Sequence, residues 1–186
     1  MPLILIGSGL IILGVLGFIL WPKPEAASDR APDTTLDSGG QNSSIPVQVE
    51  FPAPDLKLSD LDGKPVSLDD YRGQIVLVNN WATWCPPCKA EMPALQAYYD
   101  SHSHDGFTIV AIDAGDPAAA VQDFVREFGL TFPVWSDPEM KALDAFRNKG
   151  LPSSYVIDGS GTVRLAWTGA ISREMLEKHV TPLLED

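Results

Sequence analysis

Apolar residues along the chain are grouped into runs whose length and spacing differ from one segment to the next. Residues 3–20 form an uncharged apolar run, enough for about 27 Å of α-helix, which is close to the thickness of a bilayer core. Residues 22–50 are rich in proline, serine, aspartate and glycine and show almost no apolar period, as is typical of a flexible linker. We therefore expect one transmembrane helix over 1–21, a linker over 22–50 and one folded domain over 51–186.

The first run also permits a second interpretation, a cleaved signal peptide. The run is long for the apolar part of a signal peptide, no lysine or arginine precedes it, and the Ala26-Ala27-Ser28 neighbourhood is a weak cleavage site. These features favour an uncleaved anchor, which would contact membrane lipid through residues 3–20. Its orientation is poorly marked, because only Lys23 and Arg30 flank it and acidic residues surround them.

The predicted domain alternates between strand and helix patterns. Apolar β-branched runs predict strands, and apolar positions at helical spacing predict helices. In chain order the patterns predict an N-terminal hairpin over 56–58 and 65–68, a buried strand over 74–80, a helix over 85–101 that contains Pro93, a strand over 107–113, helices over 117–128 and 138–146, a hairpin over 154–157 and 163–167, and a helix over 172–184. This order indicates an α/β fold with a mixed central sheet flanked by helices.

Composition narrows the class of protein. A hydrophobic fraction of 45% and a charged fraction of 20% suit a packed core and exclude a mainly disordered or collagen-like chain. The 186 residues suffice for one domain and an attached segment. Acidic residues outnumber basic ones by 25 to 13, for a net charge of −12. This charge argues against nucleic acid as a partner, because a phosphate backbone would be repelled.

The two cysteines of the chain, Cys85 and Cys88, lie where the buried strand is expected to end and the first long helix to begin. A disulfide between them would close a very short loop and stabilise the fold by only about 2 kcal/mol, so a chemical role explains the pair better than a structural one. The unpaired N–H groups and the dipole of a helix start favour a thiolate on Cys85. Cys88, one turn further on, is within reach to resolve a mixed disulfide that Cys85 has formed.

Half of a zinc site and a pair of inert core thiols are the other interpretations of this pair. A zinc site needs four nitrogen or sulfur ligands, and none of the three histidines has a ligand-like spacing to the cysteines. Inert thiols would both have to be buried at a helix start that contains two prolines. We predict neither a metal nor a cofactor.

The pattern Trp84-Cys-Pro-Pro-Cys88 after an apolar strand resembles the thioredoxin superfamily, and within it the membrane-anchored TlpA/ResA-type thiol-disulfide oxidoreductases. Residues 78–84 before the motif, Pro93 within the helix and residues 150–158 before the last hairpin also follow the family order. The resemblance covers residues 51–186 together with the anchor. It implies a thioredoxin-like fold and an enzyme of thiol-disulfide exchange.

The resemblance also implies roles for individual residues. Cys85 would be the exposed attacking cysteine and Cys88 the buried resolving one, and the two would form the redox disulfide. Pro152 resembles the family's cis-proline, which lies beside the cysteines and lets the preceding backbone bind an extended peptide; the alternative is a trans proline in an ordinary loop. The predicted substrate groove consists of Trp84, Pro86, Pro87, Leu151 and Pro152.

Asn79 departs from the pattern of cytosolic-type thioredoxins, which have a buried aspartate at this position to handle protons. Glu91 is the candidate replacement, because it follows Cys88 by three residues in the family's Cys-x-x-Glu-x-Pro pattern. A partly buried glutamate with a raised pKa could act as a base. The alternative is a solvated acid on the helix surface.

For function, the resemblance implies an extracytoplasmic reductant that receives electrons from a membrane partner and reduces disulfides in client proteins, such as the haem-attachment CxxC of an apocytochrome c. A disulfide-forming oxidase or isomerase of the same fold is an alternative, because direction depends on the redox potential and the partner. A thiol peroxidase is disfavoured, since its motif needs a proline where Val78 stands. A non-catalytic, membrane-tethered binding module is the alternative from another class, and the intact cysteine pair argues against it.

Overall fold

The computed structural model describes residues 43–104 and 106–185, in which eight strands form one sheet of order β1-β8-β7-β4-β5-β6-β2-β3. The strands are β1 (Val47–Pro52), β2 (Lys57–Asp60), β3 (Pro65–Ser67), β4 (Ile75–Trp81), β5 (Phe107–Ala114), β6 (Val134–Asp137), β7 (Ser153–Ile157) and β8 (Thr162–Thr168). The helices are α1 (Pro86–His102), α2 (Ala118–Phe128), α3 (Lys141–Ala145) and α4 (Arg173–His179), with 3₁₀ helices over Leu68–Tyr71 and Thr181–Leu183.

Strand β4 lies inside the sheet and is apolar on both faces. Leu77 and Trp81 pack into one buried cluster, and Val76 and Val78 pack into the other. β4 runs parallel to β5 on one side and antiparallel to β7 on the other. The predicted buried strand and the predicted mixed sheet are therefore confirmed.

Helices cover both faces of the sheet. Met92 of α1, Val121 of α2 and Leu176 of α4 belong to the cluster on one face. Ala142 of α3 and Leu68 of the first 3₁₀ helix belong to the cluster on the other face. The result is a three-layered α/β arrangement, in which α1 begins directly after the end of β4.

Two strands were not predicted from the sequence. β1 begins at Val47, inside the segment predicted to be a linker, so the expected boundary between residues 50 and 51 falls within a strand that pairs with β8. Most of its side chains are exposed at the edge of the sheet, which explains why the segment lacks a clear apolar pattern. β6 has only four residues, Val134–Asp137, and is too short to stand out by pattern.

The last helix is shorter than predicted. Ser172 caps it, as expected, by accepting a hydrogen bond from the N–H of Met175 at 3.3 Å. However, α4 ends at His179 and a 3₁₀ turn follows, because Pro182 has no N–H to continue an α-helix. The helix predicted over 138–146 is likewise reduced to Lys141–Ala145.

A transmembrane helix is the remaining part of the predicted fold. Among residues 43–104 and 106–185, no helix is both long and apolar enough to cross a bilayer. The anchor expected over 1–21 and residues 22–42 of the expected linker lie outside the described residues.

Candidate active site

The two cysteines occupy the junction between β4 and α1. Cys85 is the N-cap residue of α1, with an extended backbone, and its Sγ accepts a hydrogen bond from the N–H of Cys88 at 3.3 Å. The sulfurs are joined in a disulfide whose Cα atoms are 5.3 Å apart. When the disulfide is reduced, the same N–H and the positive end of the helix dipole favour a thiolate on Cys85.

The cysteines differ less in exposure than the sequence suggested. Cys85 retains 3% of its accessible surface and Cys88 retains none. Cys85 is therefore buried in the disulfide form, contrary to the expectation that it is exposed. Trp84, by contrast, is 65% exposed, and Pro86 and Pro87 are exposed as well, so an apolar rim surrounds the pair.

Glu91 is buried beneath the cysteines with only 1% of its surface exposed. It lies three residues after Cys88 on the core face of α1, where residues at this spacing are neighbours. Its Oε1 accepts a hydrogen bond from Asn79 Nδ2 at 2.8 Å, and its Oε2 accepts one from the N–H of Ile171 at 3.1 Å. Glu91 is therefore not the solvated surface acid of the alternative interpretation.

The pKa of Glu91 is raised to about 8. Desolvation by burial is the main cause, and the hydrogen bonds from Asn79 and Ile171 offset it only in part, because they favour the charged form. A carboxyl with this pKa gains and loses its proton near neutral pH, as a general acid or base must.

Asn79 is the polar partner of Glu91 on β4. Its Nδ2 donates to both Glu91 and Ser154 Oγ, the latter at 3.0 Å, while its buried Oδ1 has no hydrogen-bond partner. In this orientation the amide suits an ionised Glu91. If the amide rotates by half a turn, Oδ1 can accept a hydrogen bond from a protonated Glu91. The Ser154 hydroxyl, which accepts in the present orientation, can then donate to Oδ1. An asparagine therefore fits both protonation states, whereas an aspartate would add a second charge.

Pro152 lies beside the cysteine loop because β7 is antiparallel to β4. Asn80, near the end of β4, pairs with Ser153, the first residue of β7. The Leu151-Pro152 peptide bond is cis, and the Pro152 carbonyl accepts a hydrogen bond from the N–H of Gly169 at 2.8 Å. Pro152 is buried, and the partly buried Leu151 packs against the cluster that contains both cysteines. The structure thus brings the predicted groove residues of both chain segments to one end of the sheet.

An aspartate that the sequence analysis missed holds the loop before Cys85. The N–H of Thr83 donates to Asp116 Oδ2 at 2.7 Å, and the N–H of Asp116 donates to Asp113 Oδ1 at 2.9 Å. Asp113 is buried, and desolvation together with Asp116 and Asp137 nearby raises its pKa to about 7, although the bond from the Asp116 N–H acts the other way. A signal was available, since Asp116 follows β5, and the carboxyl ends of adjacent parallel strands lie at one edge of a sheet.

A cavity of about 760 Å³ lies away from this site. Ile75, at the beginning of β4, and Arg164 of β8 contribute to its lining, and neither cysteine does. The chemistry of the cysteine pair therefore belongs to the opposite end of β4. In the described part of the chain, no group of three or more histidine, cysteine, aspartate or glutamate side chains is placed to hold a metal ion.

A thioredoxin-like α/β fold with a Cys-x-x-Cys disulfide at a helix start defines a thiol-disulfide oxidoreductase. The chain belongs to the AhpC/TSA family, whose model matches residues 49–166. It is 40% identical over 134 residues to "Thiol-disulfide oxidoreductase ResA" of Geobacillus kaustophilus (strain HTA426), which covers 72% of this chain and 77% of the relative. It is 35% identical over 128 residues to the protein of the same name from Bacillus subtilis (strain 168), which covers 69% and 72%.

Solved structures support the same fold and the same class of enzyme. A thiol:disulfide interchange protein of the thioredoxin family from Chlorobium tepidum TLS superposes with a TM-score of 0.65 at 31% identity, covering 74% of this chain and 99% of that one. StoA from Bacillus subtilis superposes with a TM-score of 0.57 at 26% identity, covering 71% and 96%. These comparisons confirm the predicted thioredoxin-like fold, the resemblance to ResA and the predicted class of enzyme.

Proposed function

We propose that the chain reduces disulfides in client polypeptides, with Cys85 as the attacking and Cys88 as the resolving cysteine. The Cys85 thiolate attacks one client sulfur, forms a mixed disulfide and releases the other client sulfur as a thiolate. Cys88 then attacks Cys85 Sγ, which releases the first client sulfur. Two electrons have passed to the client, and the enzyme is left with its own disulfide.

In this scheme Glu91 accepts the proton that Cys88 must lose before it attacks. The observation that carries the proposal is the placement of a fully buried carboxyl one turn from Cys88. Cys88 has no exposed surface, so water cannot readily take this proton. A carboxyl with a pKa of about 8 is well matched to a thiol donor.

The rim around Cys85 would bind the client as an extended chain. Trp84, Pro86 and Pro87 offer exposed apolar surface next to the pair, and the partly buried Leu151 and the buried Pro152 would complete the groove from the start of β7. Aromatic residues that are exposed beside a reactive group commonly contribute to binding. A cysteine-containing segment of a polypeptide therefore suits the site better than a compact small molecule.

The proposed location is the extracytoplasmic side of a membrane, with residues 3–20 in the lipid as an uncleaved signal-anchor. The uncharged run supports this because it is long enough to span a bilayer core, and the TlpA/ResA resemblance implies the same location. Electrons would then come from a membrane-bound thiol donor. A CxxC of apocytochrome c, in cytochrome c biogenesis, is the client class that the TlpA/ResA resemblance supports. Protease added to spheroplasts should digest the domain, and protection would contradict this location.

The proposed reaction can be tested with the full chain in a mild non-ionic detergent. It should accelerate the reduction of insulin disulfides by dithiothreitol, whereas Cys85→Ser should abolish the acceleration. Ser67→Ala serves as a matched control, because Ser67 caps a 3₁₀ helix on the outermost strand β3. If Cys85→Ser is as active as the unmodified chain, the proposed reaction is wrong. Thiol trapping in cells then shows the direction of electron flow, since the cysteine pair of a reductant should be found mainly as a dithiol.

A further inference from the structure

The two serines that precede β1 are hydrogen-bonded to the loop between β8 and α4. The N–H of Ser44 donates to the carbonyl of Ala170 at 2.8 Å, and Ser44 Oγ donates to the carbonyl of Thr168 at 2.8 Å. Ser43 Oγ accepts from the N–H of Ser172 at 2.8 Å. Three bonds therefore connect this short segment to both ends of the loop over residues 168–172.

The same loop contacts the active site from its other side. The N–H of Ile171 donates to Glu91 Oε2 at 3.1 Å, and the N–H of Gly169 donates to the carbonyl of Pro152 at 2.8 Å. Residues that bond to the serines thus alternate along the loop with residues that bond to the site. A displacement of the loop on one side must move the donors on the other.

Gly169 shows how closely Ser44 approaches the loop. A Cβ atom at position 169 would lie 2.5 Å from Ser44 Oγ, and the φ of Gly169 is +99°, a conformation that side chains other than glycine rarely adopt. Ile45 and Val47, which follow the serines, are largely exposed. Hydrogen bonds and close packing of the two serines therefore hold the segment at the loop, although Pro46 is also buried.

We propose that Ser43 and Ser44 are positioning residues for the thiol-disulfide reaction, because they hold the loop that directs the Ile171 N–H at Glu91. This inference rests on the proposed role of Glu91 as proton acceptor. The Ile171 N–H stabilises the ionised carboxylate. If the loop loosens, Glu91 loses one of the two hydrogen bonds that favour its charged form, and Cys88 is deprotonated efficiently only at higher pH.

The hydrogen bond from the Ile171 N–H has a large effect on Glu91 because none of the charged groups that the structure describes lies close to this carboxyl. In the described part of the chain, the groups that face Glu91 carry no fixed charge: Cys88 on α1, Asn79 on β4, Ser154 on β7 through Asn79, and the N–H of Ile171. The charged residues of α4 that reach α1, Arg173 and Glu177, bond at its far end, to Ser101 and His102. No described ion pair compensates for a lost N–H donor.

The test compares full-length variants in detergent after reduction of the disulfide. The double variant Ser43→Ala/Ser44→Ala removes both hydroxyls, Ser43→Thr keeps both, and Ser67→Ala loses a capping hydroxyl far from the site. The rate at which the dithiol reduces hydroxyethyl disulfide, yielding the enzyme disulfide and two mercaptoethanol molecules, is measured from pH 5 to 9. We expect the midpoint of the double variant to move up by about half a pH unit, which lowers the rate at pH 7 about threefold, while Ser43→Thr and Ser67→Ala follow the unmodified chain.

Glu91→Gln is measured alongside so that the two proposals can be told apart. If Glu91→Gln removes the midpoint and the double variant matches the unmodified chain, the positioning role is wrong and the proton role stands. If Glu91→Gln leaves the midpoint in place, the proton role fails, and the positioning inference fails with it. Hydrogen exchange at the Ile171 amide gives a second measure that does not depend on Glu91. It should be faster in the double variant, or in either single alanine variant if the double one does not fold, and unchanged exchange would contradict the inference.

Discussion

Replacement of Glu91 by glutamine should remove a large pH dependence from the stability of the oxidised protein. The pKa of Glu91 is about 8 in the folded chain, against 4.5 for an unburied glutamate. Between these values the folded state holds one proton that the unfolded state has released. The free energy of unfolding therefore falls as pH rises, by about 1.4 kcal/mol for each pH unit.

The sign follows from the raised pKa of an acid. The contribution of Glu91 is fully present below about pH 4.5 and is lost as the pH rises towards 8. From pH 5 to pH 8 the loss amounts to about 4 kcal/mol. Solvent screening does not reduce this free-energy difference appreciably, because the Glu91 side chain is only 1% exposed. Glutamine cannot titrate, so Glu91→Gln should lack this loss.

Glutamine also introduces a penalty that does not depend on pH. Asn79 Nδ2 and the N–H of Ile171 both donate towards position 91, and the amide of glutamine can accept at only one end. One buried donor would lose its acceptor, at about 1–3 kcal/mol. We therefore expect Glu91→Gln to be less stable than the unmodified chain near pH 5 and comparable or more stable near pH 8.

Urea unfolding of the oxidised full chain in detergent, followed by tryptophan fluorescence from pH 5 to 9, measures this difference. Glu174→Gln is a matched control, because Glu174 lies exposed on α4 and its replacement reports the loss of a carboxylate in solvent. A difference between Glu91→Gln and the unmodified chain that stays constant from pH 5 to 8 would refute the reasoning. It would mean that the hydrogen bonds to Glu91 outweigh its desolvation.

Three further predictions concern the cysteines, the loop before them and Asn79. Cys88→Ser should accumulate mixed disulfides with client proteins on non-reducing gels, whereas Cys85→Ser should trap none; equal trapping by both would overturn the assigned roles. Asp116→Ala removes the acceptor of the Thr83 N–H and should lower the free energy of unfolding by about 1–2 kcal/mol. Hydrogen exchange at the Thr83 amide should become faster, and unchanged exchange would show that this bond does not hold the loop. Asn79→Asp places two carboxyls in one buried site, so its stability should fall further below that of the unmodified chain as pH rises from 5 to 8; urea unfolding that shows equal losses at both pH values would contradict this.

The sequence predicts the centre of the fold better than its edges. β4 carries a strong apolar pattern because it is buried, and α1 has its buried residues at helical spacing; both were predicted within a few residues. β1 carries little pattern because most of its side chains face solvent, so composition suggested a linker instead. The pairing of β1 with β8 depends on main-chain hydrogen bonds, which leave almost no trace in side-chain chemistry.

The same distinction holds for the site. Cys85, Cys88, Glu91 and Pro152 belong to short motifs or to a family pattern, and such residues can be found in one sequence. Ser44 is linked to Thr168 across 124 positions of the chain, and a lone serine is common in any linker. Only the folded topology brings such residues together, so a sequence pattern cannot single them out.

The two edge strands of the sheet determine how easily another extended polypeptide could pair with it. In the described part of the chain, β1 and β3 are the outermost strands. An open edge invites strand addition by another polypeptide. Pro46 precedes β1 and Pro52 ends it, and β3 is three residues long and begins with Pro65. Proline has no N–H that could donate a hydrogen bond to an added strand. Both borders of the sheet therefore disfavour the addition of another extended chain as a further strand.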